Sequence, residues 1–291
     1  MSRRPPNVSI VVPVYNARQT VEACIQSLLN LQYDAGLELI FVDNGSTDGS
    51  SEILQSFAGR IRILHQPKRG AGAARNLGIR QARFPVIAFI DSDCEADPDW
   101  LRHLAVPLDD PQNGISGGAI LAKRPFNRIE KFGECVHDNE KAIACYRPPY
   151  VDTANAAARK EVLEGVGGFD ETFLRQQDVE LSVRMLMAGY RFAYAQRAVV
   201  YHRNESTYWG LCREGFTHGL HAISVLEKHY AFYRKVGYRP LRLRPYRRLL
   251  GHLWDCLFSA DSATALCHLV FNAGTRLGRL GGAVRYGALH L

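Results

Sequence analysis

Four short runs of β-branched and aliphatic residues, each closed by polar residues and separated from the next by a helical stripe, constrain this chain most. The first, Val8-Ser-Ile-Val-Val-Pro-Val14, is apolar almost throughout, as a strand buried on both faces must be. Pro13 near its end marks the exit into a loop. Thr20–Asn30 follows with Val21, Cys24, Ile25, Leu28 and Leu29 on one side, the spacing of a helix laid on a sheet. Leu37–Val42 is the next strand, closed by Asp43-Asn-Gly-Ser-Thr-Asp48. Ser51–Phe57 supplies a short helix and Ile61–Leu64 a third strand. Gly70–Gln81 is a helix whose Gly and Ala residues admit close backbone approach. Pro85–Ile90 is the fourth strand, closed by Asp91-Ser-Asp93.

This alternation over about 90 residues predicts βαβ units, hence a mainly parallel sheet covered on both faces. Open α/β sheets bind ligands at the carboxyl ends of their strands. Tyr15 and Asn16, Asp43 and Asn44, and Asp91 and Asp93 all fall there. One carboxylate at a strand end is ordinary, but three on neighbouring strands make a candidate site. There is no GxxxxGK[ST] sequence, and Gly70-Ala-Gly72 does not follow a strand as GxGxxG. Neither a P-loop nor a dinucleotide fingerprint is therefore present.

Beyond the fourth strand, Ile115–Leu121 reads as another strand, and Ala122–Pro149 as a short helix and a long loop. Asp152–Arg159 leads into a helix, Lys160–Val166, stopped by Gly167-Gly168. Gln177–Ala188 is a helix with Val179, Val183, Leu186 and Met187 on its apolar face and Gly189 as C-cap. Tyr190–Tyr201 is strand-like and ends at His202.

Charge divides the chain in two. The net charge is +7, but residues 206–291 hold 12 basic and 4 acidic residues, which leaves the first 205 at about −1. Trp209–Tyr230 looks helical, Tyr233–Arg248 holds seven Arg or Lys and no acid, and Leu249–Phe271 reads as two amphipathic helices. Pro240 and Pro245 break the basic run. Such an appendage is either a solvated face packed on the main body or a surface for an anionic membrane or acidic acceptor, through residues 233–271. Nucleic acid is not expected, because the basic run has little aromatic interleaving and no recognisable module. The seven scattered cysteines lack a CxxC pair, which implies reduced, mostly buried thiols in a cytoplasmic protein. The polar start predicts no signal peptide, and no apolar stretch approaches the ~18–20 residues of a membrane span. Peripheral attachment to the inner face of the plasma membrane and a homodimer through the tail both stay open.

Six segments in order carry a resemblance: Val8–Asn16 (VSIVVPVYN), Phe41–Ser50 (FVDNGSTDGS), Gly70–Ile79 (GAGAARNLGI), Ile90–Glu95 (IDSDCE), Gly167–Glu171 (GGFDE) and Gln177–Leu181 (QDVEL). Together they resemble the family 2 glycosyltransferases of the GT-A fold, inverting enzymes that use nucleotide-diphosphate sugars. The resemblance implies a single mainly parallel or mixed sheet in an αβα nucleotide-binding sandwich over residues 1–205, with a helical basic extension over 206–291. The nucleotide sugar would bind in 1–121, and the acceptor and base would lie in 122–205. Residue by residue, it implies that Pro13 and Tyr15 shape the base pocket and that Asp43 hydrogen-bonds the base or ribose. Arg75 would stand near the nucleotide, Asp91 and Ser92 on the ribose side, and Asp93 would hold a divalent metal with His202. Asp178 would be the catalytic base.

The chemistry agrees with these assignments. A sugar diphosphate is repelled by paired carboxylates unless Mg²⁺ or Mn²⁺ bridges them, and an imidazole ligand tilts the choice toward Mn²⁺. Inversion needs the acceptor hydroxyl deprotonated opposite the leaving diphosphate, which a carboxylate at a helix start can do. Asp178 there could also serve as an N-cap, which does not exclude catalysis. Two departures stand out. The family usually has Glu-Asp where this chain has Gln177-Asp178, which removes a like-charge neighbour that would raise the Asp178 pKa. The membrane helices and QxxRW segment of processive relatives are missing, so transfer of one sugar to a glycan, lipid-linked glycan or other hydroxyl acceptor is expected, with a UDP-linked donor. A sugar nucleotidyltransferase would want a Gly-rich basic loop after the first strand, where Val14-Tyr-Asn-Ala-Arg18 stands instead. A nucleotide-sugar- or carbohydrate-binding protein with degenerate activity would need neither base nor ligand set.

Overall fold

The computed structural model describes residues 4–238, 244–259 and 261–287. They form two compact units, Met1–Leu121 with His137–His202, and Ala122–Val136 with Arg203–Leu291. The first opens with β1 (Val8–Val14), α1 (Val21–Leu29), β2 (Leu37–Asp43), α2 (Ser50–Ser56), β3 (Arg62–His65), α3 (Ala71–Gln81) and β4 (Val86–Ile90). β5 (Cys94–Ala96), α4 (Trp100–Ala105) and β6 (Asn113–Ala122) follow, and the chain then passes through α5 (Arg128–Val136) of the second unit. It returns with α6 (Asn139–Cys145), β7 (Asn155–Arg159), α7 (Lys160–Gly165), α8 (Gln177–Met187) and β8 (Arg191–His202).

All eight strands join one sheet in the order β3-β2-β1-β4-β7-β6-β8-β5. The first four are parallel, as the βαβ pattern predicts. β7 then enters antiparallel to β4, β6 antiparallel to β7, and β5 antiparallel to β8. Side chains of β1 alternate between two cores: Ile10, Val12 and Val14 pack on one face with α1, and Val11 packs on the other with Ile40 and Val42. That two-sided burial is why the strand reads as an unbroken apolar run. α3 lies so close that a Cβ at Gly78 would stand 2.3 Å from a Val11 methyl.

The sequence pattern misses three pieces of the sheet and its surroundings. β7 is one: Ala156, Ala157 and Ala158 are fully buried between β4 and β6, a slot that admits only small side chains, yet an alanine run carries no β signal. Asn155 anchors it, accepting a 2.7 Å hydrogen bond from buried Trp100 and donating to the carbonyls of Ala119 and Ala198 at 2.8 Å. β5, three residues long, follows the Asp91–Asp93 turn too closely to read as a strand. Residues 122–149 contain two helices, α5 and α6, where a short helix and loop are expected. α5 belongs with the second unit, so residues 122–136 leave the body to which the sequence pattern assigns them.

The second unit adds α9 (Tyr208–Lys228), α10 (Tyr230–Lys235), α11 (Arg244–Phe258) and α12 (Ser262–Tyr286) to α5. α9 and α12 meet backbone to backbone. A Cβ at Gly219 would stand 2.1 Å from the Thr275 carbonyl oxygen, and one at Gly278 2.0 Å from that of Phe216. Phe132 of α5 packs edge-on against His268 and Phe271 of α12. Pro245 begins α11 rather than breaking it, because a second helical position needs no N–H. Residues 239–243 of the basic run, Pro240 among them, lie outside the described residues. Among the described residues, no helix is long and apolar enough to cross a membrane. Among the described residues no disulfide is present; Cys24, Cys94 and Cys267 are buried, whereas Cys135 and Cys145 are exposed at the ends of short helices.

Candidate active site

The carboxyl ends of β1, β2 and β4 lie side by side, with Val14 paired to Asp43. Asp43 is buried and accepts hydrogen bonds from the Ser46 N–H at 3.0 Å and from the Ser51 hydroxyl. Burial works to raise its carboxyl, but these bonds and nearby His65 hold it below the usual range. Asn44 beside it, also buried, donates to the Gln66 and Lys68 carbonyls and accepts from Gly70 N–H at 2.7 Å. It ties the end of β2 to the start of α3. Pro13 is buried within β1 opposite Val42. Tyr15 is exposed at the rim, its hydroxyl accepting from Arg69 at 2.7 Å while that guanidinium lies over the ring.

Arg75 and Asp91 face each other. The Arg75 side chain reaches from α3, almost wholly buried, and pairs with an Asp91 oxygen at 2.5 Å. It also donates to Gln177 Oε1 at 3.4 Å and lies against the Phe169 ring, but its Nε has no partner. Burial raises the Asp91 carboxyl, Arg75 opposes that, and the charges of Asp93 and Asp152 add to the rise. Ser92 is half-buried in the turn between Asp91 and Asp93.

Asp93 has a different neighbour. The β5–β8 register sets Cys94 opposite His202, and His202 Nε2 stands 3.5 Å from Asp93 Oδ2. One ligand atom each from Asp93, Cys94 and His202 lies within 4.8 Å of the others. Burial and the surrounding carboxylates push the Cys94 thiol well up, so it stays protonated and the donors that remain are the Asp93 carboxylate and the His202 imidazole. Although burial works to raise Asp93, the hydrogen bond and charge of His202, with His137 adding, hold it low. A carboxylate and an imidazole side by side suit a hard or borderline divalent cation.

His137 and Asp152 also stand at this site, and sequence reasoning misses both. His137 Nδ1 lies 2.8 Å from Asp152 Oδ2, and its ring sits 4.7 Å from that of His202. Asp152 stands just before β7; because that strand runs antiparallel to β4, its start meets the β4 end, with Asn155 opposite Ile90. Its carboxyl is held far below the ordinary range by His137 and the Ala154 N–H against the cost of burial.

Asp178 is the second residue of α8, whose N-cap is Gln176 in a left-handed conformation, so Asp178 is not the cap. Burial first, then the charge of Asp152, pushes its carboxyl up to about 7. Asp152 thus supplies the like-charge neighbour that Gln177 does not. Gln177 is itself buried, donating to the Phe173 carbonyl at 2.6 Å and accepting from Arg75 at 3.4 Å.

Comparison with known proteins gives the family and the fold. The sequence is 29% identical over 209 residues to the glycosyltransferase AglE of Haloferax volcanii, covering 69% of this chain and 68% of that protein. It is 30% identical over 235 residues to the pre-mycofactocin glycosyltransferase of Mycobacterium tuberculosis, covering 74% of this chain but about half (48%) of that protein. Among solved structures, the mannosyltransferase PcManGT of Pyrobaculum calidifontis, in complex with GDP-Man and Mn²⁺, matches 97% of this chain and 87% of its own at 21% identity, with a TM-score of 0.64. TarS of S. aureus with UDP matches 97% of this chain and 92% of its own at 14% identity, with a TM-score of 0.54. The fold is the GT-A fold. With the family model described as glycosyl transferase family 2 matching residues 9–197, most of the first unit, the chain belongs to that family and is a glycosyltransferase.

Proposed function

We propose that this glycosyltransferase moves one sugar from a nucleotide-diphosphate sugar, UDP-linked, to a hydroxyl of a glycan or lipid-linked glycan, with inversion and with Mn²⁺ or Mg²⁺. The observation that carries the reading is the β5–β8 register, which brings Asp93 and His202 together at the strand end where α/β sheets bind ligands. Asp93 and His202 would hold the cation, which when bound stabilises charge developing on the leaving diphosphate. Pro13 and Tyr15 shape the pocket for the base, and Asp43 accepts a hydrogen bond from base or ribose. Arg75 fixes Asp91, and Asp91 with Ser92 lines the ribose side. Asp178, with a proton affinity near neutrality, accepts the proton of the attacking hydroxyl.

The test is thermal stabilisation by UDP-, GDP-, dTDP- and CMP-sugars, with and without Mn²⁺, on the wild type and on Asp93→Ala. Ligand that binds only the folded state raises the melting temperature by mass action. UDP-sugars are expected to shift the wild type only with metal, and Asp93→Ala to lose the shift. No shift with any donor at millimolar concentration would overturn the reading, and a shift with GDP-sugars alone would reassign the donor.

A further inference from the structure

α11 meets α12 with the less apolar of its faces. Among the described side chains of α11 the half-buried ones are Leu249, His252 and Cys256, and His252 stacks on His268 with ring centres 4.9 Å apart. Leu250, Leu253, Trp254, Leu257 and Phe258 follow the i, i+3, i+4, i+7, i+8 spacing of one helix face, and all are between 47% and 70% exposed. The second unit, the smaller of the two, carries thirteen of the eighteen large exposed apolar side chains found among the described residues.

Charge selects the occupant of this face. Arg244, Arg247 and Arg248 stand in the first turns of α11, Arg234 and Lys235 precede it, and Asp255 is its sole acid. A second copy would present the same excess of 12 basic over 4 acidic residues and be repelled, whereas an anionic lipid surface is attracted. At 15 residues the helix is about 22 Å long, too short to span a bilayer and suited to lying in its interface. Trp254, its ring 4.3 Å from that of Phe258, is a side chain favoured at headgroup depth.

We propose that α11 docks the protein on an anionic lipid leaflet, lying in the interface with its open apolar face among the acyl chains and its arginines at the headgroups. The surface is independent of the sugar-transfer reading and is tested without any sugar. The full-length chain is sedimented with sucrose-loaded vesicles of phosphatidylcholine, alone or mixed with phosphatidylglycerol. We expect co-sedimentation with the mixed vesicles, weakened by salt, and a blue shift in emission that Trp254→Phe removes. Leu253→Asp and Trp254→Asp, both at exposed positions, are expected to lower the bound fraction more than about tenfold with the circular dichroism unchanged. Arg247→Gln is expected to lower it about fivefold, the worth of one charge near an anionic surface. Wild-type protein that stays in the supernatant with both lipids overturns the proposal. So does a solution dimer that Trp254→Asp splits while vesicle binding is unchanged, which would give this face to a second copy.

Discussion

Asp178 is a carboxylate in the first turn of a helix whose surroundings carry its pKa from the ordinary 3.8 up to about 7. The folded value lies above the unfolded one, so the native state binds this proton more tightly, and the contribution of Asp178 to stability falls as pH rises from about 4 through 7. Asp178→Asn is therefore expected to melt a few degrees above the wild type at about pH 8, and level with it at about pH 3.5, by calorimetry. In the same variant, sugar transfer should fall about 10²–10⁴-fold while donor-induced stabilisation persists, and wild-type turnover should decline as pH drops below 7. Arg75 gives a second case. Removing it leaves Asp91 uncompensated in a partly buried place, so Arg75→Met should lower unfolding free energy by about 2 kcal/mol in urea titrations, discounted from a fully buried pair because Asp91 is a third exposed. Asp43, Asp91, Asp93 and Asp178 were legible because each ends or begins an element that periodicity reveals. His137 and Asp152 were not, because Asp152–Arg159 reads only as a lead into a helix, and an unrecognised strand hides which of its ends meets the site.

At the scale of elements, legibility followed burial pattern. β1, β2 and β4 announce themselves because both faces are covered by helices and every position must be apolar. β7 is just as buried, but three of its five residues are alanines, and alanine favours helices when nothing else decides. β5 owes its existence to β8, a partner more than a hundred residues away, and no local pattern records such a debt. Close packing gives the prediction here. A methyl at Gly78 collides with Val11, a branched side chain fixed in the core, so Gly78→Ala should cost about 1–3 kcal/mol in a denaturant titration. An exposed glycine such as Gly165, where nothing lies within 4 Å of an added Cβ, should accept alanine without loss.

At the scale of the whole molecule, the near-neutral body and the basic tail seen in the sequence correspond only roughly to the two units, because α5 crosses over. Hydrogen exchange should separate them further: amides of β1 and β4 are expected to exchange slowest, and those of α11, none of whose described side chains is fully buried, among the fastest helical ones, until anionic vesicles are added. No composition argument could have assigned α5, since its apolar partners Phe271 and His268 lie far along the chain. The crossing makes the second unit discontinuous in the gene. A ribosome that has finished α5 must still synthesise more than a hundred residues before α12 emerges to cover Phe132. Truncation before Ser262 would therefore leave Phe132 of α5 without His268 and Phe271 to cover it, and a recombinant that exchanges the tail must exchange residues 122–136 with it.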